Sequence, residues 1–328
     1  MRPLSLDQLL ARSDDIDRAI EATAGIDPWC SALDWIVPVH LAFAPSATPI
    51  LREAPSGFAL LARYPTSEGR SMIAGLEPLW GFAAPLLGRD QGAVAAELAA
   101  ELLDDTDWDT LALPGLPPAR DTVMRIARSL AVLGDVGLQE GITRQIIDLE
   151  DGATAWLERR SPKFRRNLRN AQRRGRDVGL DFEIVDDAPD LFDRIHAIER
   201  TSWKGAQGDG ITSPEMSEFY RVMSQRLQGA GRARAVVATM HGSDVGYILG
   251  GVRDHRYRGL QLSYAAEAGS LSLGHLLQRH ELHRMAAEGI ATYDMGMDMA
   301  YKQRMADRSM TSVMLVVRRD VTGYVRHP

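Results

Sequence analysis

Apolar residues along the chain recur in two rhythms, one near three and a half residues and one of two. Leu6, Leu9, Leu10, Ile16 and Ile20 keep the first and predict a helix that stops at Gly25, since glycine readily turns the chain out of a last helical turn. "GFALLARYP" and "RSMIAGLEPLW" predict strands bounded by Pro and Gly. "DQGAVAAELAAELLDD" predicts an amphipathic helix, "WDTLALPGLPP" a strand running into a proline turn, "ARDTVMRIARSLAVLG" a helix and "GITRQIIDLE" a strand.

A second series starts near Asp151. "DGATAWLERR" is helical, and Ser161 with Pro162 restarts a helix as N-cap and first helical residue. Then come a strand ("LDFEIVDD"), a helix ("APDLFDRIHAIERTSW"), a glycine-rich loop ("KGAQGDGIT") and a helix with another Ser-Pro start ("SPEMSEFYRVMSQRLQGAG"). "RARAVVATMHG", "SDVGYILGGVRD" and "YRGLQLSYAAE" are separated by tight turns and predict an antiparallel meander. A helix ("SLGHLLQRHELHRMAAEG"), a strand ("ATYDMGMD"), a short helix ("YKQRMAD") and a last strand ("MTSVMLVVRR") complete the order. The class is α+β, with a meander feeding a helix crossover into a further strand. The first half carries a looser version of this rhythm without a letter repeat. Two lobes are therefore expected, 1–150 and 151–328.

Composition narrows the possibilities. At 328 residues, 45% hydrophobic and 25% charged, the chain has the profile of a soluble two-domain protein. No apolar run approaches the roughly 18 residues that span a bilayer, and the first twenty residues carry scattered acids where a signal peptide would be apolar. A lone cysteine, Cys30, has no internal disulfide partner and points to a reducing cytoplasm. The net charge of −6 argues against a protein that coats DNA.

Against that acidic background, residues 159–176 hold nine cations and no acid: Arg159, Arg160, Lys163, Arg165, Arg166, Arg169, Arg173, Arg174 and Arg176. Phe164, Leu168, Ala171 and Gly175 form one narrow apolar stripe, and Arg165, Arg169 and Arg173 a row at i, i+4. This is either a solvated face or a docking surface for a polyphosphate, whose oxygens match the guanidinium fork.

"SPKFRRNLRNAQRR", "SWKGAQGDGI", "SYAAEAGSLSLGHLLQRHEL" and "YDMGMDMAYKQRMAD" together resemble the GNAT superfamily. Within it, the chain is most similar to double-domain CelD-like acyltransferases and to the related Fem-type peptidyltransferases. The resemblance covers residues 155–318 well and the first 150 more loosely. It implies two tandem GNAT-like lobes, each a mixed, mostly antiparallel sheet flanked by helices, with the active centre in or beside the cleft between them. The implied chemistry moves an acyl group onto the amine of a small molecule or peptide.

In that superfamily, the turn into the helix after the meander holds the CoA pyrophosphate with backbone N–H groups. This chain has Leu271 and Leu276 where the pattern wants a basic or amide residue and a small one, but Ser270, Ser272, Gly274 and His275 still offer an anion cradle. With Lys163, Arg165, Arg166, Arg169 and Arg173 they make the expected donor site. Acyl-CoA is the default donor and aminoacyl-tRNA the rival, since relatives that use it also have degenerate loops here.

Direct transfer needs a free amine, a route for its proton, and charge to meet the oxyanion or leaving group. By resemblance, Tyr301 protonates the leaving thiolate and Lys302 steadies developing negative charge. Asp298 or Glu267 is the candidate base, each with an ion-pair or capping role as the alternative. Asp294 and Asp298 are expected to share one strand face. The resemblance puts acceptor contacts around Trp203 and Lys204, and Tyr264 and Asp294 complete that set. His275, His280 and His283 share a helix without a convincing third ligand, so no metal is expected. No serine-nucleophile elbow, Walker loop or Rossmann fingerprint occurs. The first lobe lacks the Tyr-Lys pair and is expected to be catalytically inert. A non-catalytic nucleic-acid-binding protein is the remaining alternative, and it lacks aromatic stacking residues among its cations.

Overall fold

The structure, a computed structural model, describes residues 1–66, 70–206 and 210–319. They divide into two compact units: Met1–Ile142 with the residues from Thr311 on, and Thr143–Met310. In chain order the first stretch runs β1 (Arg2–Leu4), α1 (Leu6–Leu10), α2 (Ser13–Ala22), α3 (Leu33–Phe43), β2 (Thr48–Ala54), β3 (Gly57–Pro65), β4 (Ser71–Gly75), β5 (Leu86–Leu87), α4 (Gln91–Leu102), β6 (Trp108–Leu116), α5 (Arg120–Leu130) and β7 (Asp135–Asp148). The second runs α6 (Gly152–Glu158), α7 (Pro162–Asp177), β8 (Leu180–Ile184), α8 (Leu191–Arg200), α9 (Trp203–Ala206), α10 (Pro214–Gly229), β9 (Ala233–Met240), β10 (Ser243–Arg253), β11 (Arg256–Tyr264), α11 (Leu273–Ala287), β12 (Thr292–Met297), α12 (Ala300–Gln303) and β13 (Arg308–Arg318).

Each unit repeats one plan. In the first, the antiparallel strands β2, β3 and β4 lead through α4 to β6, which lies parallel to β4. In the second, β9, β10 and β11 lead through α11 to β12, parallel to β11. The α+β class and the mostly antiparallel sheets flanked by helices follow the expectation.

The units differ from a division at 150/151. The chain's last strand, β13, pairs antiparallel with β6, opposing Leu315 to Leu113 and Val317 to Leu111, and so adds Leu315 and Val317 to the first core. The end of β7 instead pairs with β12, opposing Ile147 to Tyr293 in a core of the second unit. Each parallel strand needs a partner on its outer edge, and alternation along "MTSVMLVVRR" cannot say which edge it will join.

The helix expected over Leu6–Gly25 is two helices. A capping box between Ser5 and Gln8 starts α1, and the chain breaks at Ala11–Arg12 before α2. Sequence periodicity does not announce α3, because "LDWIVPVHLAF" is buried all round from Trp35 to His40 and holds an interior proline. In α7 the expected stripe is real. Leu168, Ala171 and Gly175 are buried, and a Cβ at Gly175 would press on Leu180 at 3.1 Å and Leu276 at 3.4 Å. Glycine there lets α7 lie close against α11.

Candidate active site

In the second unit, β11 and β12 run parallel only at their starts. Their register covers Arg256–Arg258 against Thr292–Asp294 and goes no further, although β11 continues to Tyr264. A bulge opposite Leu249/Gly250 in the β10 pairing bends β11 at Leu260, and Gly296, with φ +76, breaks β12. Beyond the bulge, side chains occupy carbonyls that a neighbouring strand would take: Tyr220 Oη donates to Leu260 O at 3.3 Å and Lys204 Nζ to Leu262 O at 3.1 Å. The sheet is splayed at this point.

At the mouth of the splay stands the N-terminus of α11. The preceding residues, Ala266–Leu271, form a 3-10 turn, and Ser272 caps the helix in the left-handed region (φ 59, ψ 40) without a side-chain cap bond. A non-glycine residue in this region carries strain, which clusters at sites that bind ligands. Arg174 Nη2 reaches Ser272 Oγ at 3.4 Å. Ser270 is exposed beside it, while the His275 ring packs edge-on to Phe164, and this partial covering, with the charge of Arg304, pushes the imidazole below its ordinary value. N–H groups without a side-chain cap thus stand beside Arg174, and a helix end of this kind attracts anions. A Cβ on Gly274 would press on the Tyr264 ring at 3.3 Å and on Leu262 at 3.4 Å, so glycine lets Tyr264 lie close against α11.

The cations of 159–176 divide into two sets. Arg159 and Arg160 both bind Asp307, and Arg160 also donates to Met305 O at 2.6 Å and Ala306 O at 2.7 Å. Burial raises Asp307, but Arg159, the Asp148 N–H and the charge of Arg160 hold its carboxyl below the ordinary range. Arg165, expected to meet phosphate, instead donates to Glu158 O at 2.7 Å and Arg160 O at 3.1 Å, at the C-terminal end of α6 where carbonyls lack helical partners. Lys163, Arg166, Arg169, Arg173 and Arg176 are exposed and make no ion pair among the described residues. They form an open basic surface on α7.

Tyr301 and Lys302 lie on α12. Burial and the nearby Tyr264 push the Tyr301 hydroxyl up, so it stays protonated near neutrality. Lys302 Nζ donates to Met297 O at 3.0 Å and sits 5.9 Å from the Tyr301 ring. Burial, reinforced by the charges of Arg258 and Lys204 and opposed by Asp294 and Asp298, lowers Lys302 to about 8.

The carboxylates are placed otherwise than expected. Asp294 is buried between two guanidinium groups, accepting from Arg144 and, at 3.0 Å, from Arg258, while its second oxygen takes the Gly296 N–H at 2.8 Å. It is a structural clamp, not an exposed acceptor contact. Asp298 lies past the end of β12 and accepts from Gln145 at 2.9 Å and Gln303 at 2.9 and 3.0 Å. Because Asp298 lies beyond Met297, the last residue of β12, strand alternation does not place it on one face with Asp294. Gly296, with φ +76, lies at the register shift between Asp294 and Met297. Glu267 is exposed on the 3-10 turn and is not among the charges that surround Lys302.

On the acceptor side, Lys204 is half-buried, and Tyr264 lies against α11. The side chain of Trp203 and residues 207–209 of the glycine-rich loop lie outside the described residues. Sequence reasoning missed Arg144 and Arg258, which hold Asp294, and counted Arg174 in the basic stretch without pairing it with Ser272. Arginines in the middle of the apolar strands "TRQIID" and "YRGLQL" were a usable signal, since a buried charge demands a partner.

Residues 162–303 match the model of the acetyltransferase (GNAT) domain. Among solved structures, a conserved protein of unknown function from Bacteroides thetaiotaomicron VPI-5482 superposes with a TM-score of 0.65 at 12% identity, covering 97% of this chain and 99% of that one. FemX superposes with 0.64 at 12% identity, covering 97% of each chain. L-PGS from Bacillus licheniformis gives 0.57 at 13% identity, covering 94% of this chain and 91% of that one. At these identities the likeness is one of fold. No curated protein sequence matches the chain.

Proposed function

We propose that this chain, a member of the GNAT superfamily of acyltransferases through residues 162–303, is an N-acyltransferase whose substrate amine attacks the carbonyl of an acyl-CoA directly. The observation that carries this reading is the α11 N-terminus, which has no side-chain cap and stands beside Arg174 and against Tyr264, in the same compact unit as Tyr301 and Lys302. The pyrophosphate suits the helix N-terminus, and the splayed edge of β11 suits an extended pantetheine arm. As the new C–N bond forms, negative charge on the carbonyl oxygen meets the Lys302 ammonium. The C–S bond then breaks, the thiolate takes the Tyr301 proton, and the tyrosinate is reprotonated by the proton the amine has lost. With Asp294 and Asp298 already engaged, the acceptor must arrive as the free amine. A cytoplasmic setting fits the buried, unbridged Cys30.

The open basic surface of α7 favours a second reading in which the donor is an aminoacyl-tRNA. Calorimetric titration with coenzyme A separates the two. Under the first reading coenzyme A binds, and Arg174→Ser and Arg304→Ser each weaken it about 5- to 10-fold. Failure to bind coenzyme A, together with tRNA binding whose affinity falls by several decades per decade of salt, transfers the assignment to tRNA.

A further inference from the structure

Three buried charged side chains meet where β11 and β12 part. Arg258 and Asp294 are the last residues of the parallel register between the two strands. One Asp294 oxygen takes Arg258 Nη1 at 3.0 Å and, from β7, the Arg144 guanidinium. Burying ions costs desolvation, and apolar side chains of the same volume often hold strands together as firmly, so such a triad suits a fixed geometry more than stability. The other Asp294 oxygen shows what is fixed, because it accepts the Gly296 N–H at 2.8 Å. Against β7, Asp294 opposes Ile146 and Met297 opposes Arg144, so three steps along β12 match two along β7. The extra residue makes a bulge, and Gly296 supplies the left-handed φ of +76 within it. Past the bulge, Asp298 N–H donates to Thr143 O of β7 at 2.9 Å. The carbonyl of a trans peptide points opposite to its N–H, so Met297 O points away from β7, to the side from which β11 has departed. That carbonyl accepts Lys302 Nζ at 3.0 Å, and Met299 O accepts the Lys302 N–H at 2.8 Å.

A shift of one residue in β12 would turn this carbonyl toward β7 and leave the ammonium without its anchor. We propose that Asp294 is a positioning residue for Lys302: by pinning the Gly296 bulge where the strands part, it keeps Met297 O on the open edge of β12 and so holds the Lys302 ammonium at the splay. The inference rests on the acyltransferase reading for what Lys302 does there. How Lys302 is held is read from contacts within unit two alone. Asp294 touches no reacting atom in this scheme and acts through the backbone. Its charge and its hold on the chain have opposite consequences for Lys302, which makes them separable. A nearby carboxylate favours the ammonium, so losing the charge alone makes Lys302 easier to deprotonate. Losing the hold lets Lys302 leave its half-buried place for water and makes it harder to deprotonate.

The test needs no substrate. The chain has only three lysines, Lys163, Lys204 and Lys302, so the full chain labelled with carbon-13 at lysine Cε gives three NMR signals to follow through pH. Lys302→Met assigns the third, which is expected to titrate at about 8. Asp294→Ala should raise that midpoint by about one pH unit or more, toward the ordinary lysine value. Gly296→Val removes no charge but cannot easily adopt the bulge conformation, and should raise it as well. Asp294→Asn keeps an acceptor for the Gly296 N–H and should stay within about half a pH unit of the parent. Melting curves identify any variant that does not fold, and where Asp294→Ala is one, Gly296→Val carries the test. A Lys302 midpoint that falls or stays in either variant, a rise in Asp294→Asn as large as in Asp294→Ala, or a parent midpoint already at about 10.4 overturns the proposal. Turnover of Lys302→Met is a separate readout: activity that survives it would sink the catalytic reading of Lys302 and leave the titration result standing.

Discussion

The helix that follows each meander shows how one backbone plan serves two ends. In the first unit the N-terminus of α4 is filled by the protein itself: Asp90 accepts from Gly92 N at 3.0 Å and Ala93 N at 3.3 Å. Just upstream, the buried Glu77 side chain accepts from the N–H groups of Leu79, Trp80, Gly81, Phe82 and Ala83. Burial pushes the Glu77 carboxyl up while four of those N–H groups pull it down. In the second unit the equivalent helix, α11, has Ser272 in the left-handed region with no side-chain cap, and the Arg174 guanidinium reaches the Ser272 hydroxyl. A helix N-terminus attracts an anion in either case. Where the chain supplies the anion the element becomes scaffold, and where it does not the element becomes a candidate binding site. This contrast supports a catalytic second unit and an inert first one.

The largest effect is expected at the chemistry. Lys302→Met should lower kcat about 100-fold or more, as removal of an oxyanion donor does, with an unchanged circular dichroism spectrum. Near-normal turnover would remove Lys302 from the mechanism. Ser272→Asp carries the first unit's device into the second. Its carboxylate competes with the ligand, and coenzyme A affinity should fall about 10-fold or more, whereas the reverse change Asp90→Ser should create no coenzyme A binding. If Ser272→Asp binds coenzyme A as well as the parent, the anion seat lies elsewhere.

Glu77→Ala tests the self-filled half by leaving buried N–H groups without an acceptor. It should cost about 3 kcal/mol or more in denaturant unfolding while sparing coenzyme A affinity of the folded fraction. The pH profile is a gentler probe. If the Lys302 ammonium is required, kcat falls as pH rises through about 8, and Lys302→Arg moves that limb upward because a guanidinium keeps its proton.

The smallest effect concerns stability. The Lys302 value lies below that of an unfolded lysine, so the buried ammonium costs stability in full below about pH 8 and progressively less toward the unfolded value near about pH 10.4. Lys302→Met should therefore raise the melting temperature by roughly 2–5 °C at pH 7 and by little near pH 11. No gain at pH 7 would show that the ammonium is better solvated than its burial indicates.

Legibility followed the range of the interactions involved. Helices and strands with a polar face were readable, and α7 followed its Ser-Pro start and its Phe164, Leu168, Ala171, Gly175 stripe. α3 was not, since a helix buried on every side has no polar face to mark its period. Tyr301 and Lys302 were singled out through the family resemblance, and the structure places both on α12. The roles of Asp294, Asp298 and Arg165 were not, because each depends on a partner from another element.

The amino-acid order alone determined what one or two turns of chain can decide: the alternating periods, the caps, the acid-free basic helix and the two successive rounds of meander, helix and strand. The tertiary structure decided which cation reaches an acid and which stays open, which carboxylate is clamped, and that β13 belongs with β6. Those outcomes depend on strand register and on which groups are desolvated together, and residues more than a hundred positions apart settle both.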